Sequence, residues 1–137
     1  MNEPPMVNGG THEHRVVVAE SNPRVRSALI LVLSQQRVIS VVGECATLEN
    51  LVDYLAETRA TLLLLDWSMA PPDADHLVRD IHARCPGIII IALSARPEHH
   101  RQTLCAGVEA FVSKVDTPSS LLTSLTDAIT RREHTAC

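Results

Sequence analysis

Five residues of the 137-residue chain stand where an apolar run gives way to a loop: Glu20, Ser21, Asp66, Ser94 and Lys114. Glu20 and Ser21 follow RVVVA, Asp66 closes TLLLLD, Ser94 follows IIIIAL, and Lys114 comes just past VEAFVS. Together they offer two carboxylates, two hydroxyls and one ammonium. A buried apolar strand has no structural use for a terminal acid, so the placement of Asp66 is informative. Clustered carboxylates repel one another unless a cation is held among them. Lysine supplies a point charge suited to a phosphoryl oxygen, and a serine hydroxyl can donate to another. The set describes a magnesium-assisted phosphoryl site with Asp66 as nucleophile. A lone strand-end Asp or Ser is more often a cap; five in register favour the chemistry.

The elements that must carry these residues alternate regularly. Strands are expected at Arg15–Ala19, Val38–Gly43, Thr61–Asp66, Ile88–Leu93 and Val108–Val112. Asn22-Pro23 caps and opens a helix over 23–36. Thr47 caps a second helix carrying Leu48, Leu51, Val52 and Leu55, on whose surface Tyr54 packs. A third presents Ala74, Leu77, Val78 and Ile81. The fourth, Pro97–Ala106, has a thin apolar face with only Leu104 and Cys105 strong, and Gly107 is its C-cap. Thr117-Pro118 opens the fifth, with Leu121, Leu122, Leu125 and Ile129. Strands apolar on both faces and separated by helices imply a covered parallel sheet. The expected fold is α/β, a flavodoxin-like doubly wound five-stranded parallel sheet in the order 2-1-3-4-5 with five helices. Ligands in such a sheet bind beyond the carboxyl ends of the strands, where all five residues lie.

Composition narrows the class. The chain is 45% hydrophobic and suits one domain, expected over 15–132 between a disordered segment at 1–14 and a tail or linker start at 133–137. Lys plus Arg is 12 and Asp plus Glu is 16, a net charge of −4, which disfavours a direct nucleic-acid surface. Apolar runs fall far short of the ~20 residues of a membrane span, and the N-terminus has no signal-like stretch, so the default compartment is the cytoplasm. Cys45, Cys85, Cys105 and Cys137 form no C-x-x-C pair, which argues against a disulfide framework and a thiolate zinc site. His12 with His14, and His99 with His100, lack a third ligand in register for a metal.

In its stretches VVVAESNPRVRSAL, TLLLLDWSM, IIIIALSA and GVEAFVSKVDTPSSLL, the chain resembles the receiver domain of bacterial two-component response regulators. The resemblance covers nearly all of 15–132 and is strongest to receivers that precede a DNA-binding helix-turn-helix domain, in transcription regulation. It implies that Asp66 accepts a phosphoryl group from a sensor histidine kinase. Mg2+ is then held by Glu20, Asp66 and the backbone carbonyl of Ser68. Lys114 contacts the phosphoryl group, Ser94 swings toward it, and Phe111, at the aromatic switch position, follows. The resemblance also implies homodimerisation on activation through the face of the fourth helix, fifth strand and fifth helix. Such a domain is not an enzyme acting on an external substrate, but an acceptor that assists its own phosphorylation and dephosphorylation.

Two departures stand out. Ser21 occupies the position where the family carries an Asp that binds the metal, and a hydroxyl is the weaker ligand for a hard dication. Glu20 is one methylene longer than the usual Asp and can reach further. After Asp66, the proline expected at position 70 is Ala70, with Pro71 and Pro72 behind it. Ser21 keeps a second reading open: a pseudo-receiver used as a protein-interaction module without phosphorylation control. A phosphatase or a flavin carrier on the same fold is disfavoured. Ser68 stands where the former needs an acid, and the chain has one Trp, one Tyr and one Phe.

Overall fold

Period-two alternation in the strands assigns their side chains to two faces, and the computed structural model buries both. It describes residues 14–114 and 118–131. The expected disordered segment lies outside these residues except for His14, which is ordered and begins the first strand; Thr117, Cys137 and the tail lie outside as well.

In chain order the elements are β1 (His14–Ala19), α1 (Pro23–Ser34), β2 (Ile39–Cys45), α2 (Leu51–Thr58), β3 (Leu62–Asp66), α3 (Ala74–Arg84), β4 (Ile89–Ser94), α4 (His99–Cys105), β5 (Ala110–Ser113) and α5 (Pro118–Arg131). A 3-10 turn, Trp67–Met69, follows β3 directly. The sheet order is β2-β1-β3-β4-β5, with every pairing parallel. This is the expected 2-1-3-4-5 doubly wound sheet.

Val16, Val18, Leu62, Leu64, Ile89 and Ile91 pack with Leu29 and Leu33 of α1 and Leu121 and Leu125 of α5. Their alternates Val17, Leu63, Leu65 and Ile90 pack with Leu51 and Leu55 of α2 and Val78 and Ile81 of α3. A sheet clamped on both faces holds the carboxyl ends of its strands in fixed register, and that edge carries the candidate residues.

Several local expectations are corrected. Thr47 does not cap α2; the helix starts at Leu51 behind Asn50, whose φ of 59° is left-handed, a region Asn tolerates better than most residues. β2 runs on to Cys45 through an irregularity that pairs Val16 with Val41 and Val17 with Gly43. On α4 the buried residue is Thr103, not Leu104 or Cys105. Its hydroxyl donates to His100 O at 2.8 Å, which lets a polar side chain be buried without loss. Gly107 follows α4 with φ of +101°, as a C-cap glycine should. Cys45 and Cys85 are free, and burial pushes both thiols above their ordinary values. Cys105 is disulfide-bonded, contrary to expectation; its exposed position at the end of α4 leaves the sulfur accessible to another thiol.

Candidate functional site

Glu20 follows β1 and is 1% exposed; Asp66 ends β3 and is 2% exposed. Both are placed by neighbours as well as by the sheet. Asn22 caps α1, its Oδ1 accepting from Arg24 N at 2.9 Å and Val25 N at 3.2 Å. That conformation directs the Asn22 N–H to Glu20 Oε2 at 3.2 Å. Arg26, one turn along, donates from Nη1 to the Glu20 carbonyl at 2.8 Å and pairs through Nε with Glu44 of β2 at 2.9 Å.

Asp66 caps the 3-10 turn, with Oδ1 accepting from Ser68 N at 3.1 Å. The bland role of a strand-end acid is therefore realised, but it does not exhaust the carboxylate. Lys114 Nζ lies 3.1 Å from Asp66 Oδ1 and 2.7 Å from Glu20 Oε1, so one ammonium bridges two buried acids. An Asn could cap the turn; only an anion pairs with the ammonium.

Burial pushes the Asp66 carboxyl up, but hydrogen bonds from the Ser68 hydroxyl, Lys114 and the Ser68 N–H, with the charge of Lys114, outweigh it and hold the group below the usual carboxylate value. Burial pushes Lys114 down, yet its bonds to Glu20 and Asp66 and their charges leave it raised. The site thus favours the ionised forms of Asp66 and Lys114.

The hydroxyls divide into two groups. Ser21 Oγ donates weakly to Asp66 Oδ2 at 3.5 Å, and Ser68 Oγ lies 2.9 Å from both carboxylate oxygens. Ser94 is buried but turned away: its Oγ meets His99 Nδ1 at 2.8 Å, accepts from Arg96 N at 2.9 Å and makes no hydrogen bond to Asp66. Phe111 is half-buried and stacks on His100, with ring centroids 4.8 Å apart. The structure therefore brings Glu20, Ser21, Asp66 and Lys114 together and sets Ser94 and Phe111 against α4.

Sequence reasoning missed the Ser68 hydroxyl, Arg26 and His99. The helical register of Arg26 relative to Glu20 was available as a signal; nothing in the spacing from Ser94 to His99 announces their contact.

No group of three or more His, Cys, Asp or Glu residues that could hold a metal occurs among the described residues. Glu20 and Asp66 are nevertheless hard oxygen donors, and with Lys114 their net charge is −1. Buried carboxylates with spare negative charge fit a hard dication such as Mg2+ on donor type, with one carboxylate fewer because position 21 is serine.

The family model described as a response regulator receiver domain matches residues 16–126. The chain belongs to this family. Among curated relatives, it is 30% identical over 110 residues to the uncharacterized transcriptional regulatory protein YhcZ of Bacillus subtilis, covering 79% of this chain and 51% of that one. The chain thus spans about half the length of the curated relatives it matches. The fold is shared with the isolated receiver domain of RcsB from Salmonella enterica serovar Typhimurium, solved with a phosphomimetic (TM-score 0.73, 24% identity, 91% of this receiver chain and 94% of that one). RcsB bound to promoter DNA matches at TM-score 0.74 and 26% identity, over 87% of this chain and 61% of RcsB. Among the described residues of the receiver, no helix is long and apolar enough to cross a membrane.

Proposed function

We propose that this receiver domain accepts a phosphoryl group on Asp66 from the phosphohistidine of a sensor kinase and passes the change to an output through α4, β5 and α5. One Asp66 carboxylate oxygen attacks phosphorus, the phosphorus–nitrogen bond to the kinase histidine breaks, and the leaving imidazole nitrogen keeps the electron pair and takes a proton. The product is an acyl phosphate on Asp66.

The observation that carries this reading is the buried Asp66 carboxylate, held ionised by Ser68 and Lys114 at the carboxyl edge of the sheet. An ionised carboxylate is the nucleophile the transfer needs. Lys114 is within reach of the oxygens that arrive on phosphorus and offsets their charge, and phosphoryl transfer is mostly positioning and charge stabilisation. Glu20, Asp66 and the Ser68 carbonyl would hold Mg2+, which supplies further neutralisation of the carboxylate and phosphoryl oxygens. Ser94, freed from α4, would donate to a phosphoryl oxygen, and Phe111 would follow.

Activated copies would pair through the α4–β5–α5 face. The relatives' naming as transcriptional regulators supports a cytoplasmic response regulator whose DNA contact is made by another domain.

Incubation with Mg2+ and acetyl phosphate, read by intact mass and peptide mapping, should show one hydroxylamine-labile phosphoryl adduct on Asp66, absent in Asp66→Asn. No adduct on the wild-type chain would overturn the reading and favour a pseudo-receiver.

A further inference from the structure

We infer that His99 is a positioning residue for the switch: its imidazole holds the Ser94 hydroxyl toward α4, and that hydrogen bond must break before Ser94 can serve a phosphoryl group on Asp66. The inference rests on the phospho-acceptor reading above and adds a residue to it.

The hydrogen-bond inventory of Ser94 leads there. A serine hydroxyl has one donor hydrogen. Arg96 N donates to Ser94 Oγ at 2.9 Å, which uses the oxygen as an acceptor. For the hydroxyl hydrogen two groups are in range: Arg96 O at 3.4 Å, which is long, and His99 Nδ1 at 2.8 Å, a better distance and an acceptor in the Nε2–H tautomer. Nδ1 accepts only when the ring is neutral and carries its proton on Nε2. While the bond stands, Ser94 has no hydrogen for a phosphoryl oxygen.

The neighbouring residue engages the other half of the switch. His100 stacks on Phe111 at 4.8 Å with the rings 17° from parallel. The first turn of α4 thus touches both Ser94 and Phe111 through adjacent histidines. Little burial resists its displacement, because α4 is seven residues long and only Thr103 is buried. His99 itself is half-buried and borders an open groove of about 440 Å3 with Trp67, Ser68 and Arg96, so its ring is not a core filler. Movement of Ser94 toward Asp66 releases His99, and release of His99 frees the helix.

The test uses the full chain, with beryllofluoride and Mg2+ as the probe and Trp67 fluorescence as the readout. His99→Leu should lower the half-saturating beryllofluoride concentration about three- to tenfold, the shift expected for loss of one competing hydrogen bond. His99→Asn, whose side-chain oxygen can replace Nδ1 as acceptor, should restore the wild-type value. In a Ser94→Ala background His99→Leu should change nothing. Imidazole 15N shifts of the free chain should show the Nε2–H form of His99 and move on beryllofluoride binding.

An unchanged midpoint in His99→Leu, failure of Asn to restore it, or an equal effect without Ser94 would overturn the inference while leaving the acceptor reading intact. A wild-type chain that neither binds beryllofluoride nor forms the acetyl phosphate adduct would remove both.

Discussion

Lys114 Nζ sits 2.7 Å from Glu20 Oε1, an atom otherwise sealed from solvent on a side chain that is 1% exposed. The lysine has a second duty at Asp66, 3.1 Å away, and is itself mostly covered. Two buried anions therefore depend on one cation. Removing one partner of a buried ionic cluster typically costs about 3–5 kcal/mol, because the remaining charge stays uncompensated.

Lys114→Met should accordingly destabilise the chain by about 3–5 kcal/mol, read as a fall in the urea midpoint. Adding Glu20→Gln should recover about 1 kcal/mol or more, since it removes one of the two stranded charges. If the double variant is no more stable than the single, the two acids do not share Lys114 in the way the geometry describes.

The same cluster sets a pH dependence with two limbs. The Asp66 value is held below its unfolded value, so its stabilisation is complete above the ordinary carboxylate range near about 3.9 and drains as pH falls through the lower folded value. The Lys114 value is raised, so its stabilisation is complete below about 10.4 and is lost as pH rises through the higher folded value. The contribution of this cluster to the urea midpoint should be level between these limits, and Asp66→Asn should flatten the acid limb. An unchanged acid limb in that variant would assign the loss to other carboxylates.

The candidate site was legible because it depends on residue type at strand ends, and strand ends are marked by the apolar runs that precede them. Glu20, Asp66 and Lys114 could be placed at one edge from five apolar runs alone. What could not be read was which partner each side chain takes. Ser94 faces His99 because of how the loop after β4 folds into α4, and no pattern in SARPEHH encodes that rotamer. Asn50 carries the helix start in a left-handed conformation that a Thr-first capping rule overlooks. Gly43 is the expected end of a strand; it lies inside β2 instead, where Tyr54 crosses it.

That crossing is testable. A Cβ on Gly43 would press against the Tyr54 hydroxyl and lie 2.7 Å from Tyr54 Cζ, closer than packed atoms come. Gly43→Ala should cost about 1–3 kcal/mol, the usual range for overpacking. Tyr54→Leu, which shortens the side chain, should reduce the cost of the added methyl when the two are combined. Thermal unfolding of the four proteins checks this. A fully additive cycle would mean that the alanine is accommodated elsewhere in β2.

Ser21 offers the most direct probe of the metal requirement. Its hydroxyl reaches Asp66 Oδ2 at only 3.5 Å, so it contributes little to holding that carboxylate. Ser21→Asp adds a third anion beside Glu20 and Asp66, and without metal it should lower stability by like-charge repulsion. With Mg2+ the sign reverses: one added unit charge near a dication, less desolvation and repulsion, is worth about 1–3 kcal/mol, on the order of five- to a hundredfold in affinity. Trp67 adjoins Asp66 and is the only tryptophan, so its fluorescence reports the titration directly. The variant should bind Mg2+ more tightly and label faster with acetyl phosphate than the wild type. Equal Mg2+ affinity in the two proteins would mean that Glu20, with its longer reach, already supplies what Ser21 lacks.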